Sequence, residues 1–312
     1  MLSKAEFRGG ALALAGVLVL VLLVVSLTPG LPGEMLLQSL RFHLVAAGLG
    51  LALLIALLGA PWRALLLLLP VLAAGLHGGM LMWELYARAQ KTGTPVARFE
   101  LLSFNVLTGN RRAEDLVEAI LADPPDVALI METPGIEAYL DQLAGVLPYR
   151  VGCADTRSCD ISLHSRFPIE DGRVLNLPPF GNERLVLGRV VVEGQAVTIA
   201  GTHLSKPYFD GASWTELAYI DRVLRPIAGP MVLAGDFNAA PWTEPLAMLT
   251  NRLALSPGPW PAATWPVRLG ALGVPIDNVF SRGSARLLTL EAGDSHGSNH
   301  RPLRAEVGVY AE

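Results

Sequence analysis

The sequence predicts an α+β fold in which three apolar helices precede a strand-rich domain. Its first third holds three nearly uncharged stretches of Leu, Val and Ala, at residues 11–28, 42–60 and 64–83. The rest of the chain alternates short apolar runs with turns rich in Gly and Pro, a pattern typical of β-strands. The predicted organisation is a membrane domain at 1–90, a linker at 91–97 and a second domain at 98–312.

The three apolar stretches are each close to the roughly 20 residues that a helix needs to cross a bilayer. Lys4 and Arg8 precede the first stretch, and Arg63 lies between the second and third. Because basic residues favour the cytoplasmic side, this pattern predicts a cytoplasmic N-terminus, three crossings of the bacterial inner membrane and a second domain outside the cytoplasm. Arg41 and Arg88 count against this topology. A cleaved signal peptide is the alternative for the first stretch.

Cys153 and Cys159 are the only cysteines, and they lie close together in a polar segment. A disulfide between them suits an oxidising compartment and agrees with the outward topology. Two unpaired thiols are the alternative. Metal binding by this pair is disfavoured, because no second Cys or His pair of suitable spacing accompanies it.

The charge of the chain is divided between the same two parts. Residues 92–312 hold 18 basic and 25 acidic residues, a net charge of −7, whereas the preceding part carries +3. An acidic domain does not attract a polyanion over its whole surface. Nucleic acid is therefore a less favoured partner, although a local basic groove is compatible with this charge.

The second domain is predicted to contain more strands than helices. The expected strands are 98–106, 127–131, 161–165, 185–193, 196–203, 231–236, 275–281 and 286–291. The expected helices are 112–122, 135–146 and 213–225. Two stretches rich in Gly and Pro are expected to be loops, at 177–181 and 256–266.

Polar side chains lie at the ends of the expected strands and in one polar loop. They occur in the segments Phe104-Asn105-Val106, Met131-Glu132-Thr133, Gly201-Thr202-His203, Gly235-Asp236-Phe237-Asn238, Ile276-Asp277-Asn278 and Ser298-Asn299-His300. Carboxylate, amide and imidazole groups that converge at one edge of a sheet predict metal-assisted cleavage of a phosphoester.

The Gly-Asp-Phe-Asn segment is the strongest of these signals. Asp236 and Asn238 project from the same side of an extended chain, because strand side chains alternate with a period of two. A buried strand needs no such polar pair for folding, so an ordinary turn explains the segment poorly. For Glu132 the alternative is a carboxylate at the N-terminus of a helix, and for Asn105 it is a turn residue at the end of a strand.

In order and spacing, these segments resemble the endonuclease/exonuclease/phosphatase superfamily over about residues 98–308. The resemblance implies a four-layer αββα sandwich and a divalent cation, Mg²⁺ or Mn²⁺, which prefers oxygen ligands. It implies that Glu132 binds the metal and that Asn105 helps to hold the metal or the phosphate. It also implies that Asp236 orients or deprotonates the attacking water and that the Asn238 amide donates to the phosphate.

The resemblance extends to the histidines. His300 is similar to the catalytic histidine of the superfamily, Asp277 to its carboxylate partner and His203 to a second histidine that contacts phosphate. A carboxylate beside an imidazole raises the histidine pKa and fixes its tautomer. Many members have an aspartate where this chain has Asn299, which removes one negative charge at a metal position. The substitution predicts a single cation, bound with reduced affinity.

Together these features predict a membrane-anchored, metal-dependent phosphohydrolase that cleaves phosphate ester or pyrophosphate bonds in a substrate close to the membrane or linked to lipid. The layout also resembles bacterial membrane phosphohydrolases associated with glycopeptide resistance, some of which act on polyprenyl pyrophosphate. Two other hypotheses stay open. One is an extracytoplasmic metal-dependent nuclease, and the other is a membrane binding or scaffold protein with weak catalysis, which Asn299 makes conceivable.

Overall fold

The computed structural model describes residues 3–28, 30–88, 93–154, 159–208 and 210–311. The α-helices are α1 (Lys4–Leu27), α2 (Glu34–Ser39), α3 (Arg41–Leu57), α4 (Pro61–Ala87), α5 (Ala113–Ala122), α6 (Leu140–Leu143), α7 (Asp210–Leu224) and α8 (Glu244–Arg252). The 3₁₀ helices are Thr133–Tyr139 and Val267–Leu272. The predicted linker at 91–97 lies partly outside the described residues.

The strands begin at Ala97. They are β1 (Ala97–Asn105), β2 (Val127–Met131), β3 (Tyr149–Val151), β4 (Ile161–Ser165), β5 (Glu170–Leu177), β6 (Asn182–Val192), β7 (Gln195–His203), β8 (Met231–Asp236), β9 (Ser256–Pro257), β10 (Asp277–Arg282), β11 (Ala285–Leu287), β12 (Glu291–Ala292) and β13 (Leu303–Val309).

These strands form two mixed sheets. The first sheet has the order β11-β13-β1-β2-β4-β3, with β12 paired to β13, and the second has the order β5-β6-β7-β8-β10-β9. Each sheet contains one parallel pair near its centre, β1 with β2 and β7 with β8. Because parallel neighbours end at the same edge, the C-terminal ends of these four strands can contribute side chains to one site.

The two sheets pack face to face, with helices on both outer sides. Apolar residues such as Leu101 and Leu129 of the first sheet share a buried core with Ile199 and Val232 of the second. The helices α5 and α6 cover the outer face of the first sheet, and α7 and α8 cover the second. The predicted α+β fold with two sheets is confirmed, and its layers follow the order αββα.

Some predicted elements differ from the structure. The helix expected at 135–146 is instead a 3₁₀ helix followed by the single turn α6. Ile136 leaves helical geometry, with φ of −125°, and its side chain is fully buried beneath the first sheet. Packing therefore overrides the local helical pattern. The strand expected at 286–291 ends at Leu287, and a separate short strand, β12, follows it.

The helices α1, α3 and α4 pack together as a bundle. Helix α1 has 24 residues and α4 has 27, and both are long and apolar enough to cross a membrane. Helix α3 has only 17 residues, because the turn at Gly59 leads into Pro61, the first residue of α4. The prediction of three full-length spans is therefore corrected: two of the described helices have the required length, and the middle one is shorter.

The outer face of this bundle is apolar, and the side chain of Arg41 is buried in its interior. Leu14, Leu53 and Leu76 are each more than 60 % exposed, and an apolar surface of this kind marks contact with a membrane or with another protein. Arg41 is fully buried and donates to the carbonyl of Val25 in α1 at 2.9 Å. It also donates to a carbonyl and a histidine of α4. One side chain thus joins all three helices.

Gly235 fixes the closest approach between β7 and β8. Its φ is +144°, and a Cβ at this position would lie 1.8 Å from the carbonyl oxygen of Thr202. Thr202 and Gly235 are register partners in the parallel pair, and the next pair is His203 with Asp236. Only glycine allows the backbones to meet here. The sequence Gly-Asp therefore sets the spacing of two polar side chains at the strand ends.

We expect Gly235→Ala to destabilise the protein by more than about 3 kcal/mol or to prevent folding, because the Thr202 backbone is held within the sheet. Gly194→Ala is the matched control: its φ is +80°, but its surroundings are open. The control should lose only about 1 kcal/mol. Denaturant unfolding followed by circular dichroism measures both variants. Equal losses would contradict this account of Gly235.

Candidate active site

The predicted site residues meet at one edge of the two sheets. Asn105 ends β1 and Glu132 directly follows β2, the parallel neighbour of β1. His203 and Asp236 end β7 and β8 and are register partners. Asp277 begins β10 and pairs with Asp236 in antiparallel register. Because β10 runs in the opposite direction, its first residue lies at the same edge as the last residue of β8.

The carboxylate of Asp236 lies at the centre of this group and is buried. Its Oδ2 accepts a hydrogen bond from Asn105 Nδ2 at 3.1 Å, and the Nε2 atoms of His203 and His300 lie 3.6 and 3.7 Å away. Its Oδ1 accepts from the backbone N–H of Asn238 at 2.9 Å. Burial raises the pKa of Asp236 because it disfavours the charged form, and the two imidazoles oppose this effect.

His300 and Asp277 form a buried imidazole–carboxylate pair. His300 Nδ1 lies 2.9 Å from Asp277 Oδ2. Burial acts to lower the pKa of His300, but the carboxylates of Asp277 and Asp236 outweigh it and raise this pKa to about 9. The imidazole is therefore a cation at neutral pH, with its Nδ1–H donating to Asp277 and its Nε2–H on the side of Asp236.

A second pair of the same kind joins His203 to Asp160. His203 Nδ1 lies 2.6 Å from Asp160 Oδ2, and Arg184 Nε lies 3.7 Å from the other oxygen of this carboxylate. Burial opposes protonation of His203, but Asp160 raises its pKa. Asp160 is not among the site residues that were predicted from the sequence. The available signal was its position directly before β4, which is antiparallel to β2 and therefore begins where β2 ends.

Glu132 lies at the opposite side of the site in a strained backbone conformation. Its φ is +55°, a left-handed value that glutamate rarely adopts. Its Oε2 accepts from the backbone N–H of Thr108 at 2.7 Å. Burial raises the pKa of Glu132, but the hydrogen bonds from Thr108 and Asn105 and the nearby His203 together outweigh this effect and lower it. The carboxylate is therefore ionised and held in place near neutral pH.

Asn105 connects the carboxylates of the two sheets. Its Nδ2 donates to Glu132 Oε1 at 3.2 Å and to Asp236 Oδ2 at 3.1 Å. Its Oδ1 accepts from the backbone N–H of Leu107 at 3.1 Å, which fixes the orientation of the amide. The nitrogen, rather than the oxygen, thus points toward the carboxylates. The predicted role of Asn105 in holding metal or phosphate stays a prediction.

Asn238 and the segment before His300 complete the site. Asn238 has a φ of +48°, and its Nδ2 donates to the carbonyl of Leu204 at 2.9 Å. Ser298 Oγ donates to the carbonyl of Asn105 at 2.7 Å and accepts from the His300 N–H at 3.0 Å. The side chain of Asn299 between them is exposed. Its predicted metal contact stays a prediction.

The donors at this edge fit a divalent cation. Ligand atoms of Asp236, Asp277 and His300 lie within 4.8 Å of one another. Asp277 Oδ1 is buried and has no hydrogen-bond partner in the part of the chain that the structure describes. Glu132 adds a further ionised carboxylate. Carboxylate oxygens are hard ligands, which suit Mg²⁺ or Mn²⁺ better than softer metals.

A comparison of the sequence with known families identifies the domain that carries this site. Residues 102–300 match the Endonuclease/Exonuclease/phosphatase family, a stretch that begins within β1 and ends at His300. The chain belongs to this family. The match confirms the predicted superfamily and the predicted class of enzyme, the metal-dependent phosphoric ester hydrolases.

Comparison with curated proteins finds a relative that is similar in sequence. A UPF0294 protein of Vibrio cholerae serotype O1 is 33 % identical over 185 residues, which cover 56 % of this chain and 57 % of that protein. The match therefore spans little more than half of either protein.

Solved structures of other proteins share the fold. TDP2 of D. rerio, in complex with a single-strand DNA product, is 16 % identical and has a TM-score of 0.58, covering 68 % of this chain and 99 % of its own. Beta toxin of Staphylococcus aureus, a mutant with bound magnesium ions, is 16 % identical and has a TM-score of 0.52, covering 69 % of this chain and all of its own.

The two imidazole–carboxylate pairs of this family member can be tested separately. The raised pKa of His300 means that its stabilising interaction with Asp277 is fully present below the ordinary histidine value and is lost as the pH rises through about 9. We expect Asp277→Asn to lower the pKa of His300 from about 9, because the largest of the contributions that raise it is lost while burial still acts to lower it. NMR titration of the metal-free protein with labelled histidine measures this.

Asp160→Asn is the matched control for this titration. It should lower the pKa of His203 and leave that of His300 near its wild-type value, because Asp160 contacts only the former. Titration of wild-type His300 near pH 6.5, the ordinary value for histidine, would contradict the pairing with Asp277.

Proposed function

We propose that this protein is a divalent-metal-dependent phosphohydrolase that cleaves a phosphate ester or pyrophosphate bond. The observation that carries the proposal is the buried carboxylate of Asp236, whose Oδ2 lies 3.6 Å from Nε2 of His203 and 3.7 Å from Nε2 of His300. A phosphate at this edge meets a carboxylate base and two imidazole donors. The Asn238 amide has a second N–H hydrogen beyond the one bonded to Leu204.

Glu132 is the residue that we propose as the principal metal ligand. It is ionised, partly accessible and held by Thr108 and Asn105. His300 is a poorer ligand, because both of its ring nitrogens carry protons at neutral pH. When bound at Glu132, a divalent cation supplies positive charge that neutralises phosphate oxygens and polarises the phosphorus centre. The magnesium-bearing beta toxin supports this choice of metal.

The protein groups divide the proton transfers between them. Asp236 is placed to accept a proton from the attacking water, and its raised pKa makes it a stronger base than an exposed aspartate. His300 is placed to give a proton to the leaving oxygen as the bond to phosphorus breaks. His203 and Asn238 donate hydrogen bonds to the oxygens that gain negative charge. Asn105 and the Asn238 N–H keep Asp236 oriented for this exchange.

We expect His300→Ala to lower the metal-dependent turnover of a soluble phosphoester by at least about 100-fold, because the proton donor is lost. Glu132→Gln should weaken Mg²⁺ binding in a calorimetric titration, since it removes one negative charge. Chelation should abolish turnover, and added Mg²⁺ or Mn²⁺ should restore it. His43→Ala, in helix α3, is the control and should keep wild-type turnover. Full activity of His300→Ala would refute the proposed role.

We further propose that α1, α3 and α4 all cross the bacterial inner membrane and hold the catalytic domain outside the cytoplasm. The end of α1 at Leu27, the start of α3 at Arg41 and the end of α4 at Ala87 lie toward the catalytic domain, whereas Lys4 and Arg63 lie at the far end of the bundle. At about 1.5 Å per residue, α3 is only slightly shorter than the hydrocarbon core. The Cys153–Cys159 disulfide suits the outer location.

A lipid-linked substrate is supported by an apolar cleft between the bundle and the active site. The cleft has a volume of about 400 Å³, and its lining includes Gly30, Pro32, Phe180 and Tyr208. Gly30 and Pro32 follow α1, at the proposed membrane surface. Phe180 and Tyr208 lie in the loops before β6 and after β7, which leave the second sheet at the edge of His203. The cleft thus lies at the proposed membrane surface, and two of the loops that line it start from the edge of the sheet that carries His203.

The same cleft continues along the protein surface. A second cavity of about 160 Å³ shares Gly30 and Gly211 with the first and extends to Trp214 and Pro245. Its lining is mainly apolar, with Glu34 and Gln38 on one side. A hydrocarbon chain suits such a surface better than a polyanion does.

We expect the double variant Phe180→Ser with Tyr208→Ser to lower kcat/KM for a lipid phosphate in detergent micelles about tenfold, because apolar contacts with the chain are lost. Hydrolysis of a water-soluble phosphoester should stay unchanged. Trp62→Ser, an exposed aromatic of the bundle outside the cleft, is the control. Equal effects on both substrates would contradict a lipid role for the cleft.

An extracytoplasmic nuclease is the second candidate. The structural likeness to TDP2 in complex with a DNA product favours it, whereas the net charge of −7 over residues 92–312 opposes it. Plasmid and single-stranded DNA in the same assay separate the two. Faster cleavage of DNA than of any lipid phosphate would favour the nuclease.

A further inference from the structure

Helix α2 packs directly against the loop that leaves the catalytic strand β8. This β8–α8 loop, residues 237–243, follows Asp236. The backbone N–H of Ala240 donates to Ser39 Oγ at 3.1 Å. The indole N–H of Trp242 lies 3.1 Å from the carbonyls of both Gln38 and Ser39. These contacts connect residues about 200 positions apart in the sequence.

The contact continues to the first residue of α8. The backbone N–H of Glu244 donates to Gln38 Oε1 at 2.8 Å. The side chain of Gln38 is itself held, because its Nε2 donates to Glu34 Oε1 at 3.0 Å. The other oxygen of Glu34 accepts from the backbone N–H groups of Gly30 and Leu31, just after α1. Hydrogen bonds to Gly30 and Leu31 thus hold α2 on the side of the bundle. Helix α2 in turn holds the β8–α8 loop.

The hydrogen bonds of Ala240 and Trp242 to α2 are buried, so no solvent can replace them. Gln38 and Ser39 are 1 % and 2 % exposed, and Ala240 and Trp242 are also buried. A buried N–H that loses its acceptor is costly. The acceptors lie in residues 34–39, outside the stretch 102–300 that matches the family. The catalytic loop therefore depends on a segment that the family domain does not contain.

The same loop carries a residue of the proposed active site. Asn238 has a left-handed φ of +48°, which asparagine adopts more readily than most residues, and the chain is held on both sides of it. On one side Asp236 accepts from the Asn238 N–H. On the other side Ala239 is tied to Asn278, and Ala240 is tied to Ser39. Release of Ala240 removes one of these restraints directly beside the Asn238–Ala239 pair.

We propose that α2 is a positioning element of the active site, in which Ser39 and Gln38 hold the β8–α8 loop so that Asp236 and Asn238 keep their working geometry. This proposal rests on the phosphohydrolase function proposed above. In this arrangement the N-terminal helices do more than tether the enzyme: the segment between α1 and α3 supplies part of the support for the catalytic residues. Ser39 and Gln38 act through the loop and not on the reacting phosphate.

The test uses the full chain in detergent micelles with a soluble phosphoester and saturating Mg²⁺. We expect Ser39→Ala to lower kcat about tenfold, the effect of a small misplacement of catalytic groups, with KM changed less than twofold. Ser39→Thr keeps the hydroxyl and should recover most of the turnover. Ser213→Ala is the matched control, because Ser213 is also buried in a helix but its hydroxyl has no partner among the described residues.

A second variant covers the case in which Ser39→Ala does not fold. Trp242→Phe removes the indole N–H together with some ring volume, and it keeps an aromatic ring against Phe42. It should also lower kcat at nearly constant KM, with Mg²⁺ affinity unchanged. Wild-type kcat in both Ser39→Ala and Trp242→Phe would overturn the positioning role alone. Absence of turnover in the wild-type protein on every phosphoester would instead overturn the proposed function.

Discussion

The carboxylate of Asp236 is removed from water where the two sheets meet, and an uncompensated charge in that position is costly. The cost is offset by the Asn105 amide, the Asn238 N–H and two imidazoles. These partners come from the ends of different strands and from separate loops. The sandwich must therefore bring all of those ends to one edge, and the close approach at Gly235 is part of how it does so.

The arrangement around Asp236 is nearly symmetrical. His203 and His300 each present Nε2 to it, and each is backed through Nδ1 by another carboxylate, Asp160 or Asp277. Both of these aspartates stand at the beginnings of antiparallel strands, where the chain enters the edge at which β2 and β8 end. In these mixed sheets, side chains at the ends of some strands and at the beginnings of others therefore lie at the same edge. A purely parallel sheet would place only strand ends there.

The residues at the strand ends are predictable from the sequence, because each directly follows a recognisable apolar run. A buried apolar run followed by Asp236 or His203 has one natural interpretation, and the positions of β1, β2, β7 and β8 follow from it. Asp160 was missed because its role depends on the pairing of β4 with β2, which is a property of topology. The 3₁₀ helix after Glu132 was missed for a similar reason, since burial of Ile136 overrides the local pattern.

In the N-terminal helices, too, some features follow from the local sequence and others depend on distant parts of the chain. Their apolar composition is readable from the sequence, whereas the shortness of α3 depends on where the chain turns. Contacts of α2 with Trp242 join segments about 200 residues apart, and no pattern within either segment indicates them.

The disulfide beside Asp160 has a consequence for how the enzyme matures. Cys159 directly precedes Asp160 and is covalently joined to Cys153. The disulfide therefore adds a covalent restraint beside the carboxylate that contacts His203. In the proposed topology, a newly made chain passes its outer domain across the membrane before that bond forms. This restraint is then added late, in the compartment where the substrate is expected.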